Sequence, residues 1–85
     1  MNVDANKVCG SCLARLRKKA GLTQVELARL LSVPQSYISK VETGERAMRI
    51  YEMFGYAQAL GIASSELACE VEKDLEAHGL LGSRD

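Results

Sequence analysis

Eighty-five residues, 47% of them apolar, make one small domain, and with three Tyr, one Phe and no Trp its core must be mainly aliphatic. The formal charge is zero, yet residues 1–50 carry nine Lys and Arg against four Asp and Glu, and residues 51–85 carry two against seven. Only the first half therefore suits a polyanionic partner. No apolar run approaches the roughly 18 residues of a membrane span, and Met1 to Asn6 lack the build of a signal peptide, so a cytoplasmic protein without membrane association is expected.

Helical periodicity runs through the chain and strand-type alternation does not. It predicts an all-α fold of five short helices over 7–20, 24–31, 34–42, 50–60 and 64–77, in one domain spanning 1–78 with a flexible tail at 79–85. In the first helix Cys9, Leu13, Leu16 and Ala20 recur at helical spacing as the buried face, with Cys12 beside it, and Gly21 ends the helix. Thr23-Gln24-Val25-Glu26 has the form of a capping box, in which the Thr hydroxyl and the Glu carboxylate each satisfy an orphan backbone N–H. It opens a second helix carrying Val25, Leu27, Ala28 and Leu31.

Pro34 suits the first turn of a third helix, whose inward residues are Tyr37 or Ile38 and Val41, and which Thr43-Gly44 ends. The fourth helix shows Ile50, Met53, Phe54, Ala57 and Leu60 as one face. Gly55 inside it costs about 1 kcal/mol relative to Ala unless a close helix contact needs the space. Gly61 ends that helix, Ser64 caps the fifth, and Leu67, Val71 and Leu75 follow at i, i+4 and i+8.

The stretch from Leu22 to Arg46, LTQVELARLLSVPQSYISKVETGER, resembles the Cro/repressor-type (XRE) helix-turn-helix family. Thr23-Gln24, Leu27-Ala28, Ile38-Ser39 and Glu42-Thr43-Gly44 carry the likeness together. It extends to Leu13, Leu16, Arg17 and Gly21 upstream and to Ala57, Leu60, Gly61, Ile62 and Leu67 downstream. The resemblance implies a lambda-repressor-like domain and a sequence-specific DNA-binding transcriptional regulator, read as a repressor, with its third helix in the operator major groove.

Elementary packing agrees. Two helices crossing steeply over a short turn need a small residue where their backbones approach, and Ala28 is placed for that. Burying Leu27, Leu31, Val33, Ile38 and Val41 leaves Gln35, Ser36, Ser39 and Lys40 outward, as polar or basic groups suited to base edges and phosphates. By resemblance Gln35 and Ser36 contact bases, with Lys40 one turn on. Gln24 holds a phosphate at the second helix's N-terminus, and Thr43, Arg46 and Arg49 contact the DNA backbone. The resemblance also pairs Arg17 with Glu42. One departure is Ser32, where the family usually places Gly in a left-handed conformation, at a cost of roughly 1 kcal/mol.

Cys9-Gly10-Ser11-Cys12 is a C-x-x-C, but a zinc site needs four ligands and only Cys69 and His78 remain to complete it. A thioredoxin-like motif expects a βαβ context that is missing. Structural cysteines are the favoured reading, ahead of redox sensing and zinc. One His without an acid–base constellation, and no phosphate-binding glycine loop, give an enzyme no support; neither a metal nor another cofactor is implied. The expected partner is double-stranded DNA with a palindromic operator, read by a homodimer built on Leu67, Val71 and Leu75. The alternatives are that this stripe folds back on the first helix, or that the chain is a protein-interaction module or an antitoxin with a protein partner.

Overall fold

Asp4 opens the first helix, its carboxylate accepting the Asn6 N–H at 2.8 Å. From there the computed structural model, which describes residues 4–82, contains five helices and no strand among those residues. They are α1 (Ala5–Lys19), α2 (Gln24–Leu31), α3 (Gln35–Thr43), α4 (Glu52–Leu60) and α5 (Ser64–Ala77). Of the tail expected at 79–85, residues 83–85 lie outside the described part. Gly79 and Leu80 turn back on α5, donating to the Glu76 and Leu75 carbonyls at 3.0 and 2.9 Å.

The helix ends follow from their residues. Arg17, Lys18 and Lys19 crowd the last turn of α1, where the helix dipole favours cations. The capping box of α2 is complete: Thr23 Oγ1 accepts from Glu26 N at 3.1 Å, and Glu26 Oε1 accepts from Thr23 N at 2.8 Å. Helix α2 ends on Ser32 at φ 56°, ψ 43°, a left-handed conformation that Gly adopts more cheaply. Pro34 stands just before α3 with an extended backbone, and Gly44 closes α3 at φ +86°. A side chain at Gly44 would also collide with the backbone of Lys7, so the end of α3 is tucked against the start of α1. Ser64 is not a cap: the N-cap of α5 is Ala63, which makes no side-chain hydrogen bond.

Helix α1 packs on α3 and α5, α2 on α3 and α4, and α4 on α5. The core joins Leu13 and Leu16 of α1, Leu27 and Ala28 of α2, Ile38 and Val41 of α3, Tyr56, Ala57 and Leu60 of α4, and Leu67 of α5. Each buried Leu or Ile contributes about 1.5–3 kcal/mol over an exposed one. Because α1 is covered on two sides, its buried arc is wider than one stripe. Cys12 is fully buried, Cys9 only half-buried and Ala20 exposed, which reverses the expected order of the two cysteines.

Three further expectations are corrected. In α4 the inward face is Met53, Tyr56, Ala57 and Leu60, while Ile50 precedes the helix at 79% exposure and Phe54 is also exposed. In α2, Val25 lies exposed, and only Leu27 and Ala28 are buried. Leu67, offered as a dimer contact, is 1% exposed within its own chain, so the start of the fifth-helix stripe folds back into the core. No helix among the described residues is long and apolar enough to cross a membrane.

Candidate nucleic-acid interface

Helix α3 divides its faces cleanly. Ile38 and Val41 point into the core, and Gln35, Ser36, Ser39, Lys40 and Thr43 occupy one outward arc of about 140° at 100° per residue. Gln35, Ser36, Lys40 and Thr43 are exposed and Ser39 is half-buried. Gln24, the first residue of α2, stands beside this arc: its Oε1 accepts from Gln35 Nε2 at 3.3 Å. The two amides expected to face DNA are thus brought together.

Beneath them sits an ion pair. Arg17 Nε donates to Glu42 Oε2 at 2.6 Å and Nη2 to Oε1 at 3.1 Å, while Nη1 reaches the Leu22 carbonyl at 2.8 Å. The two side chains are 9% and 6% exposed. Breaking so buried a pair costs about 3–5 kcal/mol because one charge is left alone. Arg17 therefore ties α1 to the end of α3 and to the loop before α2, fixing the two helices of the motif relative to each other. Glu42 Oε1 also accepts from Gln24 Nε2 at 2.9 Å, a link that the sequence did not announce.

The expected backbone-contacting residues differ in their freedom. Arg49 is exposed, with Nη1 3.1 Å from the Tyr51 hydroxyl. The Thr43 hydroxyl lies 3.2 Å from the Lys40 carbonyl and 3.1 Å from Glu45 Oε2. Arg46 is half-buried, stacked 4.5 Å from the Tyr37 ring centroid, with Nη2 donating to Glu52 Oε2 at 3.1 Å. It is first a clamp between α3 and α4, and only its outer N–H groups remain for a phosphate. Burial, then the Glu52 carboxylate, push the Tyr37 hydroxyl up to about 12. Glu52 escaped the sequence reading, because Arg49 has no capping side chain to mark it: as the first residue of α4, Glu52 accepts the Arg49 N–H on Oε1 at 2.8 Å.

The match to known proteins decides what this unit is. Residues 13–67, more than half of the chain, match the family described as helix-turn-helix. The chain belongs to the XRE-type helix-turn-helix family of transcriptional regulators. It is 37% identical over 71 residues to the uncharacterised HTH-type transcriptional regulator y4dJ of Sinorhizobium fredii, covering 84% of this chain and 92% of that one. The control protein C.MunI of a Mycoplasma species is 33% identical over 66 residues, or 76% of this chain and 89% of that one. Among solved structures, the restriction-modification controller protein C.AhdI from Aeromonas hydrophila superposes with a TM-score of 0.67 at 36% identity, over 72% of this chain and 92% of that one.

Walled by α5 and by α4 with its lead-in, an apolar groove of about 410 Å³ in this helix-turn-helix protein is lined chiefly by Met48, Ile50, Met53, Val71, Leu75 and Leu81. Leu67 contributes only to its floor. Val71 and Leu75, the other two residues of the expected dimer contact, are half-buried on its wall. Cys12 lies against the Arg15–Asp74 and Arg15–Glu70 ion pairs of 3.0 and 3.2 Å that join α1 to α5. Cys69 is exposed, and among the described residues no three His, Cys, Asp or Glu side chains gather as a metal site.

Proposed function

We propose that this regulator represses transcription by laying α3 in the major groove of a palindromic operator, as a homodimer. The observation that carries the reading is the single polar arc of α3, free of acidic side chains, beside Gln24 at the start of α2. Gln35 and Ser36 stand at the helix's N-terminal end, with Ser39 and Lys40 one turn on. A glutamine amide matches the N6 donor and N7 acceptor of adenine, worth about 1–3 kcal/mol of discrimination. Gln24, Thr43, Arg49 and the outer edge of Arg46 hold the flanking phosphates. The names of two relatives, a control protein and a restriction-modification controller, fit a regulator of this kind.

The second copy sits on the apolar groove. Ile50, Tyr51, Phe54 and Leu81 all lie exposed, an unusual density of large apolar groups for so small a surface. Selection of bound sequences from random duplex DNA tests the whole reading. It should return two inverted half-sites about 34–36 Å apart along the DNA; a pool that shows no enrichment overturns it.

A further inference from the structure

We infer that Glu42 sets which way two glutamine amides on the DNA face point, and so fixes base preference without touching DNA. The inference rests on the DNA-reading role proposed for Gln35. An amide's oxygen and NH2 are nearly the same size, so shape alone does not choose between its two orientations. An ionised carboxylate chooses, because it only accepts hydrogen bonds. Arg17, which only donates, holds the Glu42 carboxylate with bonds to both oxygens.

The polarity then propagates outward. Gln24 must turn its NH2 to Glu42 Oε1, 2.9 Å away. Its own oxygen is thereby directed at Gln35, whose Nε2 donates to it across 3.3 Å. Gln35 is left with its Oε1 and its second N–H unpaired, one acceptor beside one donor. That is the pattern that adenine's N6 and N7 require. Glu42 is 6% exposed at its side chain, so it acts as a positioning residue from beneath the surface.

Glu42→Gln separates this role from mere stability, because a neutral amide at 42 presents either a donor or an acceptor to Gln24. Arg17→Lys is the control: it loses the bidentate geometry but keeps a carboxylate at 42. Both variants should melt earlier than wild type. In Glu42→Gln the preference at the base pair read by Gln35, about tenfold in wild type, should fall to about twofold, while Arg17→Lys keeps it. Gln24→Met, which leaves the ion pair intact, should lose the same preference with little loss of stability, and it answers the question if Glu42→Gln fails to fold. In the DNA-free protein, the Gln35 side-chain amide resonances should move in Gln24→Met, those of Gln24 and Gln35 should move together in Glu42→Gln, and both should stay in place in Arg17→Lys. An unchanged preference in Gln24→Met, or a loss in Arg17→Lys equal to that in Glu42→Gln, overturns the inference. If wild type shows no base preference at all, the DNA reading fails instead, and the DNA-free amide resonances still report whether Glu42 orients the amides.

Discussion

Gly10 of α1 faces the main-chain carbonyl of Val41 in α3 so closely that a Cβ at position 10 would overlap that oxygen and the one of Glu42. The crossing of these two helices sets how α3 stands out from the domain. A glycine inside the C-x-x-C segment is therefore a packing device, and the segment needs no redox chemistry to explain it.

Gly10→Ala and Gly55→Ala should consequently move stability in opposite directions. Helix propensity alone favours Ala at both positions by about 1 kcal/mol. At Gly55 the nearest atom to an added Cβ is Leu31 Cδ2 at 3.7 Å, an ordinary contact, so the gain should be realised. At Gly10 the added carbon meets backbone, and overpacking of that kind costs about 1–3 kcal/mol. Urea denaturation of the two variants checks this, and equal shifts of the same sign would contradict the crossing.

Ser32→Gly should stabilise the domain. Ser32 holds φ 56°, which costs a residue with a Cβ about 1–2 kcal/mol. Glycine's greater freedom in the unfolded chain takes back about 0.4–1 kcal/mol, leaving a net gain between about 0 and about 1.6 kcal/mol. A thermal midpoint that falls in Ser32→Gly would show that the hydroxyl contributes something beyond the backbone conformation.

Much of this was legible in the sequence because it is local. The capping box at Thr23–Glu26, the stops at Gly44 and Gly61, and the outward polar arc of α3 follow from neighbours along the chain. The Arg17–Glu42 pair came from family resemblance rather than from periodicity. Packing choices were less legible. Helix α4 and its lead-in carry apolar residues on several sides, at Ile50, Met53, Phe54, Tyr56, Ala57 and Leu60, so the pattern does not say which side is buried; contact with α2 and α5 decides it. Cys12 outranks Cys9 because α5 covers that flank of α1, and the same contact removes Leu67 from any dimer surface. Long-range placement of this kind has no signature in spacing.

Alkaline pH should destabilise the protein. Burial, reinforced by Asp74, raises the Cys12 thiol from its ordinary 9.0 to about 12. Burial and Glu52 raise the Tyr37 hydroxyl from 10.0 to about 12. In both cases the unfolded chain releases its proton first. The native state then holds more protons from about pH 9 to about 12, and stability falls as pH rises through that window; below it the contribution is complete. Thermal midpoints across the range should show a fall that Cys12→Ala blunts. Parallel curves for the two proteins would contradict the assignment to Cys12.

The dimer has its own test. Ile50 is 79% exposed, so Ile50→Asp should leave the fold intact while placing a charge on the proposed contact. Sedimentation equilibrium should find wild type dimeric at micromolar concentration and Ile50→Asp monomeric with an unchanged far-ultraviolet spectrum. Operator binding should weaken along with dimerisation. A wild type that stays monomeric, with and without DNA, rules the interface out.

Whether α3 reads bases is tested most directly by a binding titration of wild type and Gln35→Ala. Each is titrated against a selected duplex and against variants of that duplex changed one base pair at a time. Wild type should discriminate at a base pair that Gln35→Ala no longer distinguishes, with the substitution weakening the selected duplex by about 1–3 kcal/mol. Binding of every duplex by Gln35→Ala at wild-type strength and with wild-type preference would place the DNA-reading surface elsewhere on the protein.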